Sequence, residues 1–277
     1  MQRLNNGSLF FFGNLKIFDG ELMKNLFKDR KILITGAGNG IGAAIAEHFA
    51  QLGATVALID FNCDLLLAKH QELADKGYRV SSFCTDIANY EACQAAYEYF
   101  YNEIGFIDTL VNNAGISPKH QGHAHKIWQL SPEEWQRVVD VNLNGSFNFI
   151  RILVPNMIKH KFGKIINTSS VAANAYLPVV ACHYSATKAA IIGLTRHLAG
   201  ELGIYNIHVN AIAPGRIETP MVLEVGNQVN QHVIDDTPLG RLGSPTEVAK
   251  VVEFLASNDS NFVTGQVIDI AGGWLMR

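Results

Sequence analysis

Seven short apolar runs, each separated from the next by a stretch long enough for a helix, leave few folds open to this chain. They span residues 31–35, 55–60, 79–85, 107–112, 164–168, 208–213 and 266–270. Most are rich in β-branched residues and almost continuously apolar, as strands are when both faces of their sheet are covered. Strand–helix alternation with right-handed crossovers predicts an α/β fold, a doubly wound seven-stranded parallel sheet in a single domain. Two helix starts are spelled out, Ser131-Pro132-Glu133-Glu134 and Ser244-Pro245-Thr246-Glu247. Each has Ser at the N-cap, Pro at the first helical position and Glu three residues after the Ser, which predicts a capping box.

In such a sheet ligands bind beyond the carboxyl ends of the strands. The unusual residues fall there. Gly36 follows the first run, Asp60 ends the second and Asp86 follows the third; Asn112-Asn113-Ala114-Gly115 closes the fourth, Ser169-Ser170 the fifth and Pro214-Gly215 the sixth. Chance would scatter polar and glycine residues over both edges, so one cleft is expected to hold the chemistry. A net charge of −3 supplies no basic field for nucleic acid. No polybasic run suits an anionic membrane and no stretch has the length and apolarity of a span. Cys63, Cys84, Cys93 and Cys182 contain no C-x-x-C pair, so free thiols in a reducing, cytoplasmic compartment are expected.

Residues 1–28 precede the domain at 29–277. Leu9-Phe10-Phe11-Phe12 is too short for a signal-peptide core, and Asp19 and Glu21 argue against a transit peptide. Two readings stand: a peripheral arm packing its aromatics on the body or a neighbouring subunit, or a natural start at Met23.

Thr35-Gly36-Ala37-Gly38-Asn39-Gly40-Ile41-Gly42 joins the first run to a helix. Glycines let this backbone turn tightly and let a pyrophosphate approach amide donors at the helix start. The turn, with Gly36, Asn39, Gly40, Ile41 and Gly42, is the expected phosphate bed. Asp60, about 20 residues beyond the glycines, is placed to bind an adenosine ribose 2′-hydroxyl and to repel a 2′-phosphate. Neither Phe61 nor Asn39 offers a cation to such a phosphate, which favours NAD(H) over NADP(H).

Tyr184 and Lys188, four apart, share one helix face. A phenol with a pKa near ~10 exchanges protons poorly at neutral pH unless its phenolate is stabilised, and a nearby ammonium does that. Ser170 could hydrogen-bond a reacting oxygen. The set T-G-x-x-x-G-I-G, N-N-A-G, a Ser ahead of Y-x-x-x-K, and P-G resembles the short-chain dehydrogenase/reductase family from about residue 29 to 277, in order throughout. That resemblance implies a Rossmann fold and hydride transfer between a nicotinamide and a secondary alcohol or ketone. It implies Tyr184 as general acid/base, and Lys188 as the residue that binds the nicotinamide ribose and lowers the tyrosine's pKa. Ser170 would polarise the substrate oxygen, and Asn142 would anchor a water in the proton relay. The same matching puts Asp86 and Ile87 beside the adenine, and Asn113, Ala114 and Gly115 under the cofactor. Pro214, Gly215, Ile217 and Thr219 fall in the segment that holds the carboxamide. The family often spaces Ser and Tyr thirteen apart and here they are fourteen apart, so Ser169 stays a rival to Ser170.

The substrate pocket is expected between the segment after Gly115, the loop after Ser170 and a lid from Met221 to about Leu239, with Tyr176, His183, Met221 and Val222 as contacts. The pattern is nearest the 3-oxoacyl thioester reductase branch. Against it, Asp60 disfavours NADPH, and Tyr205 stands where a second basic residue beside Lys161 would read an acidic carrier protein. An NAD-dependent dehydrogenase of a polyol, sugar or cyclic alcohol is the alternative, and a non-catalytic dinucleotide sensor a more distant one. His120-Gln121-Gly122-His123-Ala124-His125 reads as a polar loop at the cleft mouth; no companion carboxylate or Cys spacing defines a metal site. By resemblance the chain is a homotetramer built through the Y-x-x-x-K helix and the C-terminal strand.

Overall fold

The structure is a computed structural model, and it describes residues 26–223 and 227–276. The seven strands are β1 (Lys31–Thr35), β2 (Thr55–Asp60), β3 (Val80–Cys84), β4 (Thr109–Asn112), β5 (Gly163–Thr168), β6 (Ile207–Pro214) and β7 (Val267–Ile270). They form one parallel sheet in the order β3-β2-β1-β4-β5-β6-β7, so the order reverses between β1 and β4. That reversal opens the crevice in which a doubly wound sheet holds its ligand. The strands fall within two residues of the sequence runs at every end, because continuous apolar stretches have one way to be covered on both faces.

The helices are α1 (Gly40–Gln51), α2 (Cys63–Asp75), α3 (Tyr90–Ile104), α4 (Pro132–Val139), α5 (Gly145–His160), α6 (Cys182–Leu202), α7 (Pro220–Leu223), α8 (Asn227–Asp236) and α9 (Pro245–Ala256). One core lies between the sheet and α1, α2 and α9, built around Ile32, Ile34, Phe49, Val56 and Val252. The other lies under α3, α5 and α6, around Leu33, Phe100, Leu110, Phe149 and Val209. Alternate residues of β1 thus enter opposite cores, as the period of two requires. Phe27 is fully buried and meets Phe49 edge to face at 4.9 Å. The fold therefore begins before residue 29, and the reading of 1–28 as an arm shortens to the segment ahead of Phe27. Phe10–Phe12 and Met23 lie outside the described residues.

Two expectations fail here for tertiary reasons. Cys63 and Cys84 form a disulfide, with Cα atoms 5.3 Å apart. The pair is invisible in sequence because the first residue of α2 and the last of β3 meet only once the strands are parallel. The two capping boxes also differ. Ser244 and Glu247 bond each other's backbone reciprocally. Ser131 accepts from the Glu134 amide, but the Glu134 carboxylate turns to His120 and His183 instead of its own helix start.

Candidate active site

Side chains from six strand ends converge on one cleft at the carboxyl edge. On its β1–β2 side the glycine turn is fastened from behind. Asn113 donates to the carbonyls of Thr35 (3.0 Å) and Gly36 (3.1 Å), and the Thr35 hydroxyl accepts from the amides of Asn113 and Ala114. Gly36 has φ +67°, and a Cβ on Gly42 would lie 1.9 Å from the Gly36 carbonyl oxygen, so no side chain fits at 42. Gly42 therefore sits behind the cleft wall, while Gly36, Asn39, Gly40 and Ile41 line it. Asn39 makes no side-chain cap on α1, and no acidic residue occupies that helix's first turn. An uncapped helix start and a turn with no room for a Cβ at Gly36 or Gly42 fit a phosphate-bearing nucleotide.

Asp60 stands at the mouth of this bed. Its Oδ2 accepts from the Gly38 amide at 2.8 Å and its Oδ1 from the Asn62 amide at 2.9 Å. Phe61 is largely exposed, and the Arg137 guanidinium lies 5.9 Å from its ring centroid while bonding Asp86 at 2.8 Å. Asp86, Ile87, Asn113, Ala114, Gly115, Pro214, Gly215, Ile217 and Thr219 all line the cleft.

On the β4–β6 side, Tyr184 and Lys188 reach the cleft from the first two turns of α6, and Ser170 from the turn after β5. The Ser170 hydroxyl lines the cleft with Tyr184 and accepts from the Ala172 amide at 3.2 Å. Ser169 faces the other way, donating to the Lys188 carbonyl at 2.8 Å. The Ser169 hydroxyl is thus committed to bracing the helix, and the Ser170 hydroxyl is not. The Lys188 ammonium donates to the Thr168 carbonyl at 2.7 Å and stands 5.7 Å from the Tyr184 ring centroid. Burial lowers its pKa to about 8. Burial also raises that of Tyr184, against a smaller opposing effect of the nearby Ser170 hydroxyl.

Asn142 sits in a wide π-type turn, Asp140–Asn144, between α4 and α5. It lies behind the wall rather than on it. Its Oδ1 accepts from the Ile116 amide at 2.7 Å, and its Nδ2 donates to the Ile116 carbonyl at 3.0 Å and to the Thr187 hydroxyl at 3.2 Å. It ties the segment after Gly115 to the helix carrying Tyr184.

Residues 36–275 match the family model described as enoyl-(acyl carrier protein) reductase. The chain belongs to the short-chain dehydrogenase/reductase family. It is 42% identical over 244 residues to a 3-oxoacyl-[acyl-carrier-protein] reductase of Thermotoga maritima, covering 87% of this chain and 96% of that protein. A crystal structure of a 3-oxoacyl-[acyl-carrier protein] reductase from Brucella melitensis superposes with a TM-score of 0.90 at 48% identity, covering 100% of this chain and 99% of that one. A second Brucella melitensis reductase, solved with bound NAD, gives 0.86 at 46% identity with the same coverage. The short-chain dehydrogenase/reductase reading therefore stands: an oxidoreductase that interconverts an alcohol and a ketone with a nucleotide cofactor.

Within this family member, several neighbours of the site escaped sequence reasoning. Arg137 is one; its partner Asp86 lies 51 residues away. A buried relay is another: Asn112 donates to Asn167, and Asn167 to Thr195, joining β4, β5 and α6. Among the expected substrate contacts, Val222 lines the cleft and Tyr176 is exposed. The side chain of Met221 lies outside the described residues. His183 is no substrate contact: it is fully buried and bonds Glu134 at 3.0 Å, because its place on α6 faces α4. Burial pushes the Glu134 carboxyl up, but its hydrogen bonds to His183 and His120 outweigh that and hold it below the usual carboxylate range.

Proposed function

We propose that the protein is an NAD(H)-dependent reductase of 3-oxoacyl thioesters, with Tyr184 as general acid/base. The observation that carries this reading is the placement of Tyr184, Ser170 and Lys188 together on the wall of a cleft whose other end suits a dinucleotide. The bound nicotinamide would supply or accept the hydride. The chain's own groups do the rest. Ser170 donates to the substrate carbonyl oxygen and fixes its position, and Tyr184 delivers the proton as that oxygen becomes an alkoxide. Lys188 sets a positive charge at the same wall, stabilising negative charge as it develops. Asn142 keeps the segment after Gly115 in register with α6.

Preference for NAD(H) is supported by Asp60, whose carboxylate would meet a 2′-phosphate with like charge, and by Arg137, which is already paired with Asp86. The thioester is supported by the reductases this chain resembles. A homotetramer is supported by β7, half-buried at the free edge of the sheet, and by the exposed Phe262 beside it. Among the described residues no helix is long and apolar enough to cross a membrane.

The test follows NADH absorbance with acetoacetyl-CoA, with NADPH and Tyr184→Phe run in parallel. Turnover with NADH should exceed that with NADPH and fall by about 10²–10⁴-fold in the variant, the range supplied by a positioned proton donor. NADH binding should stay largely intact. Failure of thioesters with NADH still binding would move the substrate to the polyols, sugars and cyclic alcohols.

A further inference from the structure

The disulfide lies across the nucleotide end of the cleft. Cys63 is the first residue of α2 and Cys84 the last of β3. Asp60, Phe61 and Asn62, immediately ahead of Cys63, line the cleft, and so do Thr85 and Asp86, immediately after Cys84. The strand ends are already fastened to each other: Asp60 stands opposite Cys84 in the parallel register, and the Thr85 amide donates to the Asp60 carbonyl at 3.0 Å. That pairing stops at Asp60. Phe61 and Asn62 are exposed, and the covalent link from the start of α2 back to β3 is the Cys63–Cys84 bond. Asn62 matters to the site because its amide is one of the two that aim the Asp60 carboxylate, bonding Oδ1 at 2.9 Å. Cys63 is itself exposed and Cys84 half-buried, so a reductant can reach the bond. Exposed disulfides are the labile and regulatory ones.

We propose that Cys63 and Cys84 form a thiol–disulfide exchange site that sets how tightly the cleft holds its dinucleotide, tightly when oxidised and weakly when reduced by a dithiol. In the exchange, one thiolate of the dithiol attacks Sγ of Cys63, the exposed sulfur, and the bond to Cys84 breaks with Cys84 leaving as thiolate. The second thiol then attacks the reductant sulfur now bound to Cys63 and releases it. Two electrons pass to the protein, the reductant becomes a disulfide, and its two thiol protons end on Cys63 and Cys84. Two thiols do not stay at bonding distance, so the start of α2 moves off β3 and carries Asn62 with it. Asp60 then keeps the Gly38 amide and loses the firm hold of the other. The β2–β3 pairing is untouched, so the sheet survives and the loss falls on the cofactor. The switch rests on the dinucleotide reading of this end of the cleft and is independent of the substrate.

The experiment titrates NADH, by its fluorescence, into full-length protein oxidised with oxidised glutathione, reduced with dithiothreitol, and reoxidised. Alkylation after denaturation, read by mass, reports the redox state through Cys63 and Cys84. The dissociation constant for NADH should rise about 5-fold on reduction, the scale of having to order one side chain anew, and should recover on reoxidation. Cys63→Ser and Cys84→Ser should bind NADH as weakly as the reduced parent, with or without dithiothreitol, while circular dichroism shows both variants folded. Equal affinity in the two redox states of the parent would overturn the switch and leave the dinucleotide site standing. So would Cys63 and Cys84 that stay alkylatable after oxidation. Failure to bind NADH in either state would remove the site and the switch together.

Discussion

Two buried lysines lie at opposite edges of the same sheet. Lys188, at the carboxyl edge, and Lys164, at the amino edge, are both almost inaccessible to water, and burial lowers both to about 8. They differ in company. Lys164 is enclosed by Asn261 at 3.0 Å and Ser260 at 3.4 Å, next to an Arg30–Asp108 ion pair of 2.5 Å whose Arg30 also bonds Thr109. Lys188 has a carbonyl on one side and the open cleft on the other. A perturbed pKa therefore does not mark a site by itself. At the amino edge the polar groups spend their bonding capacity on one another; at the carboxyl edge part of it faces the cleft.

The comparison breaks most directly on activity. Lys188→Met should lower turnover by about 10²-fold or more, as loss of a group that stabilises developing charge does. Lys164→Met should leave turnover per folded molecule unchanged, because nothing at that edge touches the reaction; equal losses in steady-state assays would erase the distinction. Stability should respond in the reverse order. Arg30→Met strands Asp108 in a buried position and should cost about 3–5 kcal/mol, read by urea unfolding, without changing the KM for NADH.

A smaller effect, common to both lysines, is read by pH. Both have an ordinary value near 10.5 and a folded value of about 8. Below pH 8 the folded and unfolded chains both carry these protons, and the burial penalty is fully present. Between about 8 and 10.5 only the unfolded chain keeps them, so their contribution to stability rises with pH. The urea midpoint of Lys164→Met should therefore climb less between pH 7.5 and 9.5 than that of the parent; parallel curves would remove the shift.

The smallest contrast is between two threonines. Thr109 is fully buried, and its hydroxyl both donates to Asp108 and accepts from Arg30. The Thr168 hydroxyl, on the cleft wall, has no partner among the described residues. Thr109→Val should cost about 1–3 kcal/mol. Thr168→Val should change the thermal midpoint little.

The carboxyl edge was legible in sequence because its chemistry is concentrated in contiguous motifs. The strands showed themselves as apolar runs, and each strand end carried its glycine, carboxylate or serine with it. The amino edge was silent. Arg30, Asp108 and Lys164 lie far apart in sequence with no motif around them, and their pairing depends on strands brought side by side. Glu134 shows the same limit inside a motif. Ser-Pro-Glu-Glu specifies where a helix begins, but the direction of the last carboxylate was decided by a loop and a helix packed against it. Arg137 belongs to this class too, since the helical period identifies its face and says nothing about Asp86. Even Ser169 and Ser170, adjacent in sequence, are told apart only by which side of α6 each one meets.

Asp60 has a consequence for how tightly a dinucleotide is held. With each carboxylate oxygen already anchored by a backbone amide, its side chain gives up almost no rotational freedom when a ribose arrives. The loss that usually accompanies immobilising a flexible acceptor, about 0.5–1.5 kcal/mol, has been met in advance by folding. A cofactor with a phosphate at that position would meet a rigid carboxylate that cannot swing aside without abandoning two amides. On the proposed NAD(H) preference, the two bonds that would suit a ribose are also the ones that would resist its phosphorylated rival.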